Sequence, residues 1–353
     1  MQDINPSAVK ELESLLISSS KTAIVTHMKP DGDALGSSVA MYHFIARYNS
    51  ERKIILSDPY PSNLDFLSCG IEDEILIHAE QPVAAEEFIK SADLIICLDF
   101  NAFHRTDRLE VPLAASKAKK VLVDHHLNPD RDSFDLIFSE TEVSSASELL
   151  FHILMDMPSV ERQAERLTMA GNEALMTGMT TDTNNFANSV FPSTLQMASA
   201  LLAAGVDRNK ILLNIYNRFS ESRLRLLGHI LKDLMRITKS GVAYIVLDSK
   251  TLKEYNVIEG DTEGFVNMPL SIADVKMSIL IKEDIGKARV SIRSKKGTSA
   301  NMCARTYFNG GGHENAAGGR LNIPGDIENI TQAGAYIEEK TTKFMNEENE
   351  KHI

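Results

Sequence analysis

Aspartate and histidine recur at or just past the end of apolar, β-branched runs in this chain. Four stretches carry the pattern: AIVTHMKPDGDALGSS (Ala23 to Ser38), LIICLDF (Leu94 to Phe100), KVLVDHH (Lys120 to His126) and GMTTDTNNF (Gly178 to Phe186). A fifth polar turn, GGGHENAAGG, lies far downstream. An open parallel sheet exposes its working groups at the carboxyl ends of its strands, so His27, Asp31, Asp33, Asp99, His125 and Asp182 can converge on one crevice. Four carboxylates gathered there repel one another, and two divalent cations cancel four charges. The pattern reads as a two-metal hydrolytic site.

Each stretch also has a plainer explanation. Asp33 can cap a helix starting at Ala34, as aspartates at helix N-termini do. Asp99 follows an apolar run that suits a buried central strand, where an unpartnered carboxylate costs several kcal/mol; an ion pair to Arg105 satisfies it, and so does a position between two cations. A lone buried histidine is commonly structural, but His125 and His126 stand together after Asp124 at a strand end, which favours ligation. Asp182, in a threonine- and asparagine-rich turn after a helix, is unremarkable by itself. A dinucleotide-binding reading fails, because GDALGSS lacks the G-x-G-x-x-G spacing.

The elements that must position these residues alternate. Strand patterns at Ala23 to Thr26, Lys53 to Ser57, Leu94 to Leu98, Val121 to Val123 and Leu136 to Phe138 are separated by helical stretches such as Ala34 to Tyr48 and Pro82 to Lys90. Interleaved strands and helices imply right-handed crossovers and a mostly parallel sheet covered on both faces. SASE, Ser145 to Glu148, fits a capping box with Ser145 at the N-cap and Glu148 at N3. A further helix is expected from about Ser159 to about Leu175. From Pro192 to Ile237 apolar residues recur at helical spacing. Strand patterns return at GVAYIVLD, VKMSILIKED and KARVSIRSK, the last two joined by the turn chemistry of Asp284 and Gly286. Helical patterns at Ser299 to Phe308 and Ile327 to Met345 complete a second, smaller α/β domain. The expected division is 1–191 for the catalytic domain, 192–238 for a helical connector and 239–353 for a substrate-binding domain.

With 353 residues, 43% of them hydrophobic, the chain can build two cores. Its three cysteines form no CxxC pair, so neither a disulfide framework nor a thiolate site is suggested and a reducing cytosol fits. No apolar run approaches the ~18 residues of a membrane span, and the N-terminus is an acidic amphipathic helix, so the expected location is cytoplasmic. A formal net charge of −12 argues against wrapping long duplex DNA. One segment departs from the average: Lys287 to Arg320 holds seven basic residues and one acidic residue. A small basic cradle on an acidic body suits a small phosphorylated ligand. Gly310, Gly311 and Gly312 exceed what a turn needs, and their amides can cradle a phosphate, with His313 stacking or donating a hydrogen bond. Arg293, on one strand face with Ser291, is the candidate for a second phosphate contact.

The set His27, Asp31, Asp33, Asp99, Asp124-His125-His126 and Asp182 resembles, in order and context, the motifs of the DHH phosphoesterase superfamily. GGGHENAAGG resembles the glycine-rich signature of its associated C-terminal domain. Glu263 to Ile272 (EGFVNMPLSI) and Val290 to Lys295 (VSIRSK) look like the subgroup of bifunctional oligoribonuclease and pAp phosphatase proteins called NrnA. The resemblance implies one cation held by His27, Asp31 and Asp99 and another by Asp33, Asp99, His125 and Asp182, both of them manganese, activating a bridging water for attack on phosphorus. It implies that His126 contacts the scissile phosphate and that Asp124 orients His125 from behind. Arg105 joins Arg293, Gly310, Gly311, Gly312 and His313 as a candidate substrate contact. The expected activity is release of 5′-mononucleotides from short RNA and removal of the 3′-phosphate of pAp. The expected partners are short RNA, pAp or another small adenine nucleotide, with a homodimer as a possible assembly and neither long duplex DNA nor membrane. Two alternatives stay open: a phosphodiesterase for cyclic di-AMP or pApA, and a catalytically silent nucleotide-binding sensor.

Overall fold

The structure, a computed structural model, describes residues 4–48, 50–216, 219–258, 260–312 and 314–351. The chain divides into two compact units, Met1–Arg218 and Phe219–Ile353.

The first unit runs α1 (Pro6–Ser18), β1 (Lys21–Thr26), α2 (Gly32–Ile45), β2 (Glu51–Leu56), α3 (Asp65–Ser68), β3 (Ile75–Ile77), α4 (Pro82–Ser91), β4 (Leu94–Leu98), α5 (Glu110–Ala115), β5 (Lys119–Asp124), β6 (Leu136–Ser139), α6 (Ala146–Met155), α7 (Met169–Asp182), α8 (Pro192–Ala203) and α9 (Arg208–Tyr216). Its six strands are all parallel, in the order β3-β2-β1-β4-β5-β6. The period of two along each strand sorts the apolar residues between two cores. Ile24, Ile54, Ile96 and Val121 face α1, α2, α6, α7, α8 and α9, while Val25, Ile55, Ile95 and Leu122 face α4 and α5. Burial on both faces explains why β4, LIICL, carries no polar residue.

On the first face α2 and α7 approach closely, and glycine permits it. A Cβ on Gly36 would lie 2.6 Å from the Ala174 carbonyl oxygen, and one on Gly178 would lie 2.0 Å from Ser147 Oγ and 2.7 Å from Asp33 Oδ1. Small residues thus let three helices meet directly behind the carboxyl ends of β1 and β4. The helix expected from about Ser159 starts ten residues later, capped by Thr168 Oγ1 on the Gly171 amide, and runs on through Gly178 to Asp182. Packing against α2 outweighs the weak helix propensity of its two glycines and its threonines.

In the second unit, α10 (Glu221–His229), β7 (Arg236–Ile237), β8 (Val242–Leu247), α11 (Ser249–Glu254), β9 (Met277–Asp284), β10 (Lys287–Ser294), α12 (Ala300–Tyr307), β11 (Gly311–Gly312), β12 (Ala316–Asn322) and α13 (Ala333–Lys351) form a mixed six-stranded sheet, β11-β12-β10-β9-β8-β7. One face packs on α12 and α13, the other on α10 and the segment around Phe265. The β9–β10 hairpin turns at Ile285 and Gly286, with Asp284 Oδ1 accepting from the Ile285 amide. The helical stretch 192–238 is shared between the units: α8 and α9 pack in the first, α10 in the second.

Gly178→Ala is expected to destabilise the protein by about 1–3 kcal/mol, the usual penalty for overpacking. Gly228→Ala in α10, where an added Cβ meets nothing within 4 Å, is expected to be neutral or slightly stabilising. Thermal melts of the two variants check the pair.

Candidate metal centre

The strand order reverses direction at β1 and β4, which makes their carboxyl ends the topological switch point of the sheet. His27 follows β1 immediately, and Asp31 and Asp33 bracket the start of α2. Asp99 follows β4 in the left-handed backbone region, with φ at 63°, which aspartate tolerates better than most residues. His125 and His126 follow β5, and Asp182 is the last residue of α7 rather than part of a turn beyond it.

The six side chains proposed as ligands come together. His27 Nε2 lies 3.3 Å from Asp99 Oδ2 and 4.0 Å from Asp31 Oδ1; His125 Nε2 lies 3.4 Å from Asp99 Oδ1 and 3.5 Å from Asp182 Oδ2. Three ligand groups result, each with its donor atoms within 4.8 Å of one another: His27, Asp31 and Asp99; Asp33, His125 and Asp182; and Asp99, His125 and His126. Asp99 is 3% exposed, and its Oδ1 has no hydrogen-bond donor among the described residues. An orphaned carboxylate oxygen between imidazoles is what a divalent cation would satisfy, and an oxygen-rich set with imidazole nitrogens suits manganese or a similar ion.

Backbone contacts aim these groups. Asp31, not Asp33, caps α2: its Oδ1 accepts the amides of Asp33 at 3.0 Å and Ala34 at 3.1 Å. Asp33, 1% exposed, turns to α6, whose first two amides, Ala146 and Ser147, donate to its two carboxylate oxygens at 2.6 and 2.9 Å. His27 Nδ1 donates to the Met28 carbonyl at 2.8 Å, which directs Nε2 at Asp99 and Asp31.

Two sequence expectations change. Asp124 orients His126 rather than His125: its Oδ1 accepts from His126 Nδ1 at 2.7 Å and its Oδ2 from the His126 amide. The two histidines are adjacent, but only the second turns back toward the strand end. Among the described residues Asp99 has His27, His125 and His126 as ionic neighbours, and Arg105 is not one of them. Arg105 contributes its carbonyl oxygen, which accepts the Met28 amide at 2.8 Å and ties the segment after β4 to the turn after β1.

Arg293 and the glycines belong to the second unit. Arg293 and Ser291 share the β10 face opposite Val290 and Ile292. GGGHENAAGG is a hairpin rather than a polar turn: Gly311 and Gly312 of β11 pair with Gly318 and Ala317 of β12, which pairs in turn with β10. A Cβ on Gly310 would sit 1.9 Å from the Gly318 carbonyl oxygen, so this glycine is required by backbone approach. His313 lies outside the described residues. Sequence reading missed the amides of Ala146 and Ser147, which no side-chain motif announces.

Burial and mutual charge shift the ionisable groups of this crevice. Burial, followed by the charge of Asp99, pushes Asp33 up to about 7. Asp182 keeps 32% of its side chain open, yet the walls of the crevice, followed by the charge of Asp33, push it up to about 8. Burial alone would lower both histidines, but the adjacent Asp99 carboxylate outweighs it and raises His27 to about 9 and His125 to about 10. Burial would raise Asp99 as well; the imidazoles of His125 and His27, 3.4 and 3.3 Å from its two oxygens, prevail and hold it well below the usual carboxylate range.

With this arrangement established, the chain can be placed among known proteins. Residues 21–179 match the DHH family, N-terminal domain, and residues 239–339 match the DHHA1 domain. The chain belongs to the DHH family. It is 30% identical over 303 residues to the bifunctional oligoribonuclease and PAP phosphatase NrnA of Thermus thermophilus, covering 84% of this chain and 83% of that protein. It is 28% identical over 313 residues to the probable bifunctional oligoribonuclease and PAP phosphatase NrnA of Streptococcus mutans, covering 87% and 91%. A crystal structure of an exopolyphosphatase-related protein from Bacteroides fragilis superposes with a TM-score of 0.90 at 34% identity, covering 99% of each chain. No helix of the described residues is long and apolar enough to cross a membrane.

Four groups that are raised on folding imply a pH dependence of definite sign. Between pH 6.5 and about 10 the folded, cation-free chain holds protons that the unfolded chain has released, so its stability falls as pH rises. Chelator-treated protein is therefore expected to melt at progressively lower temperature from pH 6.5 to 9.5. Saturating Mn²⁺ is expected to reverse the trend, because a cation binds the deprotonated ligands. A pH-independent melting temperature in chelator would contradict this protonation scheme.

Proposed function

We propose that this chain is a metal-dependent phosphoesterase that releases 5′-mononucleotides from short oligoribonucleotides and removes the 3′-phosphate of pAp. The observation that carries the reading is the position of Asp99, a buried carboxylate shared between two of the ligand groups, with the third group, Asp33, His125 and Asp182, joined to it through His125. His27, Asp31 and Asp99 hold one divalent cation; Asp33, Asp99, His125 and Asp182 hold a second. When bound, such cations polarise a phosphoryl oxygen and lower the pKa of water, which is the chemistry in-line hydrolysis needs. His126, its ring fixed by Asp124, contacts the scissile phosphate. In the second unit, Arg293 and the glycine hairpin bind nucleotide, the arginine fork being matched to a phosphate. The activities named for the Thermus and Streptococcus relatives support this substrate choice.

Asp99→Asn keeps the left-handed backbone and the side-chain shape but removes the charge. It is expected to lower turnover by more than about 100-fold, beyond what loss of an outer partner does. His125→Ala is expected to do the same with the fold intact by circular dichroism. Arg293→Ala is expected to raise KM by about 10- to 100-fold with kcat largely retained, the loss of a charge-assisted contact. One chromatographic panel of pAp, pApA, cyclic di-AMP, di- to pentaribonucleotides, a long oligomer and pyrophosphate, with Mn²⁺ and with chelator, checks the reading. Preference for cyclic di-AMP or pApA would overturn the substrate assignment, and tight binding without release of any product would make the protein a sensor.

A further inference from the structure

The N-terminus of α6 grips Asp33 through two backbone amides, and something must hold that N-terminus still. Ser145 caps it in the expected way, its hydroxyl accepting from the Glu148 amide at 2.9 Å. The return half of the capping box is different. Glu148 reaches past the Ser145 amide, and its Oε2 accepts from the Ser144 amide at 2.9 Å, the Ser144 hydroxyl at 2.5 Å and the Thr194 hydroxyl at 2.6 Å. Glu148 is 0% exposed. Its other oxygen, Oε1, has no hydrogen-bond donor among the described residues, and the nearest ionisable nitrogen, His152 Nε2, is 3.9 Å away and also without a partner. Burying a carboxylate with one oxygen unsatisfied opposes folding. A helix cap alone does not need it, because serine at the N-cap already serves the exposed amides.

We propose that Glu148 is a positioning residue for Asp33. Its carboxylate pins the chain before α6 to the first turn of α8, and so fixes where the Ala146 and Ser147 amides point. Those amides set the direction of both Asp33 oxygens, leaving each oxygen a lone pair for a cation. Gly178 completes the arrangement, since only a residue without a Cβ leaves room for Ser147 and Asp33 to meet. The inference deepens the proposed function and rests on it: it assigns to a residue outside the ligand set the accuracy of one of the two cation positions.

The test is Mn²⁺ binding to the full chain, followed by the electron paramagnetic resonance of free Mn²⁺, together with steady-state kinetics. Glu148→Ala is expected to weaken one of two bound Mn²⁺ by about 10- to 100-fold, the effect usual for loss of an outer-shell partner, and to lower kcat with KM little changed. Glu148→Gln, which keeps an acceptor in place, is expected to stay within about threefold of the wild type in both. Amide exchange at Ala146 and Ser147 should quicken in the first variant only. Should Glu148→Ala fail to fold, Thr194→Val removes one donor from the far side, and the same Mn²⁺ should weaken.

Asn172→Ala, which removes a buried hydrogen bond from the Asn172 amide group to the Ala164 carbonyl at the other end of α7, controls for simple destabilisation. It is expected to lower the melting temperature without changing Mn²⁺ affinity. Equal weakening by Asn172→Ala, or two wild-type affinities in folded Glu148→Ala or Thr194→Val, overturns the inference. A wild-type chain that binds no Mn²⁺ overturns the proposed function instead.

Discussion

Mutual repulsion among carboxylates governs this molecule. Asp31, Asp33, Asp99 and Asp182 come together at the ends of β1, β4 and α7, and four such carboxylates, two of them buried, do not gather without compensation. The rest of the first unit reads as a frame that keeps them together. A sheet packed on both faces denies the strand ends freedom to spread. Backbone amides take up both oxygens of Asp33 and one of Asp31, and two imidazoles flank Asp99. The frame is held closed by contacts between small residues, so resistance to the repulsion comes from packing that cannot relax gradually.

Much of the frame was readable because its residues obey simple periods. LIICL announces a strand buried on both faces, and Asp99 stands out as the charged residue that follows it. The alternation of strands and helices carried the parallel topology with it. Elements whose formation depends on partners were harder to read. β3 has only Ile75 to Ile77 and no pattern of its own. α7 begins later than its apolar spacing suggests and continues through a glycine, because α2 accepts that surface and water does not.

The glycine-rich segment illustrates the same difficulty from the other side. Read alone, GGGHENAAGG is a flexible polar turn, since glycine is permissive. Gly310 is there because a carbonyl of the neighbouring strand occupies the place of a side chain, a fact invisible without the partner strand. Asp124 and Glu148 follow the same logic: the residue type was informative, but its partner was a matter of rotamer and packing. Type and order in the chain are local properties; which of two adjacent histidines turns back toward an aspartate is not.

The strand order of the first unit, β3-β2-β1-β4-β5-β6, is one that dinucleotide-binding proteins use to seat a pyrophosphate on the bare amino end of the helix after the first strand. Here that seat is taken from within. The carboxylate of Asp31 already occupies the Asp33 and Ala34 amides, and more acidic groups stand around it. A phosphate arriving at this end of the sheet finds those two amides already engaged where the common scaffold leaves them open. The two uses of the scaffold thus exclude each other at the level of two backbone N–H groups, and a chain built this way must meet an anion with imidazoles or a bound cation instead.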